Sequence, residues 1–297
     1  METLILKLGA TGDVVRTSTL LRRLPGNISW VTAAKNVGLL DGARDGLRAT
    51  AWDQRSQFAD RSYDLVINLE DTLEVGRFLQ TIRCDRIFGA YLAGHETLQY
   101  SDDSHGWFDL SLISRFGKAE ADRLKLLNRR TYQDLIFDGL RLDFAGEKYV
   151  LPEPAKPGLT GDVAISQAAG PVWPMKNWAY YDALKLELEK LGLAVNVLPQ
   201  RPTLLEHMGD VAGHRCLVSG DSLPMHLALG TGTRCVTLFT CTSPWEIHDY
   251  GLQRKIISPL LAQFFYQRGR DERAMTAITV EEAFNAVRHQ LSAAGTA

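Results

Sequence analysis

Apolar and polar positions change rhythm repeatedly along the chain. Short unbroken apolar runs, the pattern of a strand buried on both faces, alternate with stretches whose apolar residues recur every three or four positions, the pattern of an amphipathic helix. In the first half, Leu4–Leu8, Ile28–Thr32, Leu65–Leu69 and Arg86–Phe88 read as strands, and Val14–Leu24 and Asn128–Leu140 as helices. From Gly94 to Arg115 the sequence is rich in Gly, His, Ser and Asp with weak periodicity, which predicts a loop or lid facing a ligand. Pro152, Pro154, Pro157, Gly158 and Gly161 then cluster in a short stretch that suits neither helix nor strand. After it the alternation restarts. Val163–Ser166, Ala194–Leu198, Cys216–Ser219 and Cys235–Phe239 predict strands, and Trp178–Leu191, Thr203–Val211 and Leu223–Leu229 predict helices. A final helix, Val280–Leu291, follows Thr279, a residue suited to the N-cap.

Strand–helix alternation from end to end predicts an α/β class with mostly parallel sheets. The expected organisation is a first domain over residues 1–151, a linker over 152–162 and a second domain over 163–297. Two such halves place a cleft between them. In open α/β sheets ligands sit outside the carboxyl ends of the strands, so the residues just after each strand are the candidates for chemistry.

Composition narrows the classes. The chain is 45% hydrophobic and 23% charged with a net charge of -2, so there is no global basic field for nucleic acid. No apolar run approaches the length of a bilayer-spanning helix, and a strand begins at once after Met1, leaving no room for a signal peptide. A cytoplasmic protein is expected. Cys84, Cys216, Cys235 and Cys241 are scattered without a Cys-x-x-Cys pair, which disfavours a zinc site or a disulfide framework.

Three loops stand out. Gly9-Ala-Thr-Gly-Asp13 joins the first strand to a helix, and its glycines permit a sharp turn and close approach of a ligand to the backbone. It is neither a dinucleotide fingerprint nor a Walker A loop. Asp13 repels phosphate. It is either the cap of a helix beginning at Val14 or a general base that accepts a proton from a hydroxyl. Gly9, Thr11 and Gly12 would line the same loop, and His105 lies in the 94–115 segment.

The second loop is Ser219-Gly-Asp-Ser-Leu-Pro-Met-His226. Ser222 suits an N-cap, and Pro224 is tolerated in the first helical turn. Free N–H groups there suit a diphosphate, while Asp221 suits sugar hydroxyls. The bland alternative makes Asp221 and Ser222 capping residues and His226 a satisfied, half-buried histidine. Asp221, Ser222 and His226 lie too close in sequence for a hydrolase triad. In the third loop, Gly170-Pro-Val-Trp-Pro-Met-Lys176, the lysine stands near a helix start, where the macrodipole disfavours a cation. It is either a solvated surface residue or an ammonium for a ligand phosphate.

Taken together, these elements resemble the heptosyltransferases of the lipopolysaccharide inner core, which are GT-B glycosyltransferases. Ile5-Leu-Lys-Leu-Gly-Ala-Thr-Gly-Asp-Val-Val15 is similar to the family's opening strand and Gly-Asp turn. Leu217-Val-Ser-Gly-Asp-Ser-Leu-Pro-Met-His-Leu-Ala228 is similar to its donor-binding turn, Lys176-Asn-Trp178 to its Lys-x-Trp, and Thr240-Cys-Thr-Ser-Pro244 to its Gly-Pro-Thr-x-Pro. The resemblance covers the first two dozen residues and most of the C-terminal half. It implies two Rossmann-like domains facing each other across a cleft, with the acceptor met by the first and the donor nucleotide by the second. In such enzymes the last helix can pack back on the first domain.

The resemblance further implies an inverting glycosyl transfer with no metal and no cofactor. Asp13 would be the base. Lys176, Asp221, Ser222, Leu223, His226, Gly170 and Thr242 would meet the donor, ADP-heptose, and Gly9, Thr11, Gly12 and His105 would face the acceptor. The acceptor would be a glycan or lipid-linked sugar, met at the cytoplasmic face of the inner membrane, with no obligate protein partner. No Asp-x-Asp pair occurs to hold a metal.

The departures are Leu223 in place of a Gly, Thr240-Cys241 in place of Gly-Pro, and a short segment between Val197 and Leu217, where the family carries a longer loop near the nucleotide base. The rival functions are a nucleotide-sugar epimerase on the same scaffold and a binding protein without turnover. Arg123, Arg129 and Arg130 either meet an anionic acceptor or form a solvated helix face.

Overall fold

The computed structural model describes residues 1–94, 96–110, 115–167 and 169–293. The chain divides into two compact units, Met1–Pro152 and Glu153–Ala297.

The first unit is a six-stranded sheet built from β1 (Glu2–Leu6), β2 (Asn27–Thr32), β3 (Leu47–Ala51), β4 (Ser62–Asn68), β5 (Arg83–Ala93) and β6 (Thr97–Tyr100), in the order β3-β2-β1-β4-β5-β6. All pairs are parallel except β5 with β6. Its helices are α1 (Thr11–Thr17), α2 (Leu73–Leu79), α3 (His105–Phe108), α4 (Lys118–Leu127) and α5 (Tyr132–Gly139). Alternation along the strands fills both faces. Ile5, Trp30, Ile67 and Phe88 join Val14 and Phe137 in one core, while Leu4, Leu6, Val31 and Val66 join Val75 and Phe78 in the other. A sheet covered on both sides in this way explains the unbroken apolar runs.

The second unit is a five-stranded sheet of β7 (Gly161–Ser166), β8 (Val195–Val197), β9 (His214–Gly220), β10 (Arg234–Phe239) and β11 (Gln253–Ile257), ordered β11-β10-β9-β7-β8 and parallel throughout. Around it lie α6 (Tyr181–Glu189), α7 (Leu204–Ala212), α8 (Leu223–Thr231), α9 (Leu261–Phe264), α10 (Glu272–Thr276) and α11 (Val280–Ala293). Ala283, Ala286, Val287 and Leu291 of α11 pack with Val163, Ile165, Val218 and Val236 in the core of this unit. Among the described residues no helix is long and apolar enough to cross a membrane.

The segment expected to be a loop from Gly94 to Arg115 contains β6, a 3-10 turn at Asp102–Ser104 and α3. Its residues 95 and 111–114 lie outside the described residues, as do 168 and 294–297. The predicted helix Val14–Leu24 is divided into α1 and a 3-10 turn, Ser18–Arg22. Thr17 Oγ1 donates to Asp13 O (2.6 Å) and Ser18 Oγ to Val15 O (2.6 Å), and hydroxyls that bond back in this way compete with the regular helix ladder. The predicted helix Asn128–Leu140 starts only at Tyr132, because Thr131 and Asp134 form a reciprocal capping box there.

Candidate active site

In each unit the strand order reverses once about the first strand. β1 has β2 on one side and β4 on the other, and β7 has β8 on one side and β9 on the other. The carboxyl ends at such switch points are where open α/β sheets bind ligands. The two sets of candidate residues lie at these ends: Asp13 follows β1, and Lys176 and Asp221 follow β7 and β9.

At the end of β1, Lys7 is buried at 5% exposure. A buried ammonium needs opposite charge, and two carboxylates supply it. Lys7 Nζ donates to Glu70 Oε1 at 3.1 Å and lies 3.8 Å from Asp13 Oδ2. The other oxygen of Asp13 pairs with Arg16 at 2.9 Å. Asp13 is 30% exposed and Lys7 only 6% in their side chains, so the carboxylate is the member of the pair that a substrate can reach. The Arg16 guanidinium lies 3.8 Å from the centre of the Tyr132 ring, and Tyr132 bonds Thr17 through its hydroxyl at 2.7 Å. Burial pushes the Tyr132 phenol up, and the charge on Asp13 pushes the same way.

The helix after this loop begins at Thr11, and Ala10 holds its cap position. Asp13 therefore does not cap a helix starting at Val14. It stands in the first turn with both oxygens turned to cations. Thr11 bonds Asn36 through its hydroxyl at 2.8 Å, and the Gly9 N–H points to Glu70 Oε1 at 3.4 Å. Gly12 is the second residue of α1. His105 opens α3, 3.9 Å from Asp102. The three arginines weighed for an acceptor are occupied: Arg123 pairs with Glu120, Arg130 with Asp138, and Arg129 donates to the Leu126 and Asn128 carbonyls.

The turn after β4 was missed by sequence reasoning, although Glu70 and Asp71 directly follow a predicted strand. Asp71 accepts a hydrogen bond from Tyr100 at 3.0 Å. Burial, the largest cause, pushes its carboxyl up to about 6, helped by the charge on Glu70 and opposed by Tyr100 and Lys7. A carboxyl whose folded pKa is raised stabilises the fold fully below its unfolded value and loses that contribution as pH rises through about 6. Asp71→Asn keeps an acceptor for Tyr100 and carries no charge. It should be more stable than the parent at pH 8 by about 1–2 kcal/mol after allowance for partial solvent screening, with the difference shrinking toward pH 4. Urea unfolding at the two pH values checks this, and equal differences at both would refute it.

In the second unit Lys176 belongs to a 3-10 turn, Pro174–Lys176, well ahead of α6. Its Nζ donates to Asp221 O (2.6 Å) and Oδ2 (3.1 Å). The lysine and the aspartate expected to meet different parts of a ligand are thus paired with each other. Gly220 makes the approach possible, since a Cβ there would sit 3.2 Å from the Lys176 carbonyl oxygen. An ammonium has three donors, and Asp221 takes two of them.

Ser222 occupies the cap position of α8, but its hydroxyl donates to Gly220 O (3.3 Å) and makes no cap bond. The Ser222 side chain thus leaves the first turn of α8, beginning at Leu223, without a cap bond of its own, in contrast to α7, where Thr203 and Glu206 form a capping box. His226 lies within α8 and is buried, at 4% exposure.

After β10, Thr240 Oγ1 donates to Met175 O at 2.7 Å, tying this loop to the turn that carries Lys176. The Thr242 and Ser243 hydroxyl oxygens are buried and make no hydrogen bond within the described residues, so they are available to water or a ligand. Lys255 reaches the loop as well, donating to Pro244 O (2.7 Å) and Ile247 O (2.5 Å). Burial lowers its pKa, while Asp249 and Asp221 oppose the shift. Gly170 opens the Lys176 loop and accepts from the Trp173 N–H at 3.3 Å. Among the described residues no group of three His, Cys, Asp or Glu side chains converges as metal ligands would.

Residues 172–267 match the family model of glycosyltransferase family 9 (heptosyltransferase). No curated protein matches the chain significantly. Among solved structures, the fold is similar to that of the E. coli heptosyltransferase WaaC with ADP, with a TM-score of 0.65 at 15% identity over 98% of this chain and 100% of that one. It is similar also to a family 9 glycosyl transferase from Veillonella parvula, with a TM-score of 0.68 at 13% identity over 98% and 97% of the two chains. For the E. coli ADP-heptose lps heptosyltransferase II the TM-score is 0.55 at 11% identity, with both chains covered to 100%. The chain is thus heptosyltransferase-like: two Rossmann-like units in fold, with the family 9 pattern over the segment that carries Lys176, Asp221 and His226. The family match alone, over residues 172–267, supports glycosyl transfer as the general reaction class.

Proposed function

We propose that the chain is an inverting glycosyltransferase that moves heptose from ADP-heptose to a hydroxyl of a glycan or lipopolysaccharide-core acceptor. The carrying observation is the pairing of unlike chemistry with like position. A partly exposed carboxylate follows the first strand of one unit, and an ammonium beside a helix whose cap residue makes no side-chain cap bond follows the switch point of the other. In this reading the acceptor oxygen attacks the anomeric carbon as the bond to the β-phosphate oxygen breaks. The hydroxyl proton passes to Asp13. The electron pair leaves with the diphosphate, whose charge meets Lys176 and the first-turn N–H groups of α8. Asp221 and His226 orient the donor sugar, and the Thr242 hydroxyl bonds the donor.

Release of ADP from ADP-heptose in the presence of deacylated lipopolysaccharide core, with the product followed by mass, tests the assignment. A product that gains no heptose while the free sugar is isomerised would replace it with the epimerase. Because protein groups supply the positive charge, turnover should persist within about twofold in excess EDTA, well short of the several kcal/mol that a catalytic metal contributes. Loss of turnover in EDTA, regained with magnesium or manganese, would overturn this part of the mechanism.

A further inference from the structure

Glu70 collects the donors that shape the Asp13 loop. Its Oε1 accepts from the Leu8 N–H at 2.7 Å, from Lys7 Nζ at 3.1 Å and from the Gly9 N–H at 3.4 Å. Glu70 is itself fixed from the sheet. Asn68 Oδ1 accepts its N–H at 3.1 Å, and Asn68 Nδ2 donates to Glu70 O (2.8 Å) and Ala90 O (2.7 Å). A side chain that bonds the backbone two residues on is a device for holding a turn. Rigid contacts therefore run from β4 and β5 through Asn68 and Glu70 to Lys7, and from Lys7 to Asp13.

We propose that Glu70 is a positioning residue for Asp13: it anchors the Leu8–Gly9 backbone and shares the Lys7 ammonium with Asp13, so setting how much positive charge the partly exposed carboxylate meets. This rests on the reading of Asp13 as the base.

The charges around Asp13 come from several elements. Lys7 stands at the end of β1, Arg16 one turn along α1, Glu70 and Asp71 on the turn after β4, and the Tyr132 phenol on α5. Lys7 lies closer to Glu70 (3.1 Å) than to Asp13 (3.8 Å), so Glu70 offsets much of its charge. Glu70→Gln keeps a carbonyl acceptor for the loop N–H groups and removes only the negative charge. Lys7 then acts on Asp13 alone, and the Asp13 carboxyl should titrate lower and become a poorer base. Lys7→Met removes the cation and should move the same carboxyl the other way.

The test is a titration of protein labelled with 13C at the aspartate side-chain carboxyls, followed by NMR, with Asp13→Asn and Asp71→Asn assigning the two resonances. The Asp13 carboxyl should move down by about half a unit in Glu70→Gln and up by about one unit in Lys7→Met. In the ADP-release assay Glu70→Gln should lower kcat about tenfold with the KM for ADP-heptose unchanged. If Glu70 is a loop anchor only, Glu70→Gln moves neither the titration nor kcat, and the proposal is overturned. Shifts of the same sign in both variants overturn it as well. Full activity of Asp13→Asn would instead remove the base assignment, and the titration would still decide whether Glu70 governs this carboxylate.

Discussion

Asp13→Asn should lower kcat at least a hundredfold while the Kd for ADP-heptose stays within about twofold, the scale of losing a general base. Asparagine has the size and most of the hydrogen-bonding reach of aspartate, but it cannot take up a proton at neutral pH. Helix capping gives no competing account, because Ala10 holds the cap position and Asp13 is the third residue of α1. The remaining structural account is the ion pairing to Lys7 and Arg16. Those pairs involve a carboxylate 30% exposed, and Glu70 remains to hold Lys7, so their loss should cost about 1 kcal/mol or less. The two roles separate on one variant. A base shows as a collapse of kcat with a small change in Tm, and an ion-pair strut as a lowered Tm with kcat preserved. Turnover of Asp13→Asn near the parent rate would end the catalytic assignment.

The fold is legible where burial is two-sided. β1, β2, β4, β7, β9 and β10 lie within their sheets, and their apolar runs mark them in the sequence. The edge strands β3 and β11 escape notice because Leu47–Ala51 and Gln253–Ile257 are largely half-exposed and mix Arg, Lys and Gln with apolar residues. β5 begins before Arg86 for the same reason, its first three residues being exposed. In the site, residue types after strands are legible and their partners are not. Asp13, Lys176 and Asp221 stand out as charges in loops that close strands. That Lys176 holds Asp221, and that Lys7 faces a carboxylate sixty-three residues away, depends on how strands are ordered in the sheet. Lys7 does leave a trace: a lone charge between Leu6 and Leu8 in an otherwise apolar run. Such a residue is buried only with a partner, and the acidic turn after the neighbouring strand is the place to look.

Lys176→Met should lower kcat for heptose transfer by about a hundred- to a thousandfold, the usual effect of losing one donor to a developing negative charge. It should also weaken ADP binding by about tenfold, since the diphosphate is charged before and after transfer. The pairing with Asp221 complicates a single substitution. Removing the ammonium deprives a carboxylate of 16% exposure of the Lys176 cation, which costs stability and repels the diphosphate. The cycle with Asp221→Asn and the double variant separates these effects. Lys176→Met/Asp221→Asn has no stranded charge, so its Tm should return most of the way to that of the parent. If Lys176 serves only to neutralise Asp221, the double variant turns over as fast as Asp221→Asn alone. If the third N–H of the ammonium meets the leaving diphosphate, the double variant is close to the parent in stability and still slower than Asp221→Asn by about a hundredfold or more. Recovery of both stability and rate in the double variant would make Lys176 a strut and move the leaving-group role to Lys255 or to the first turn of α8 alone.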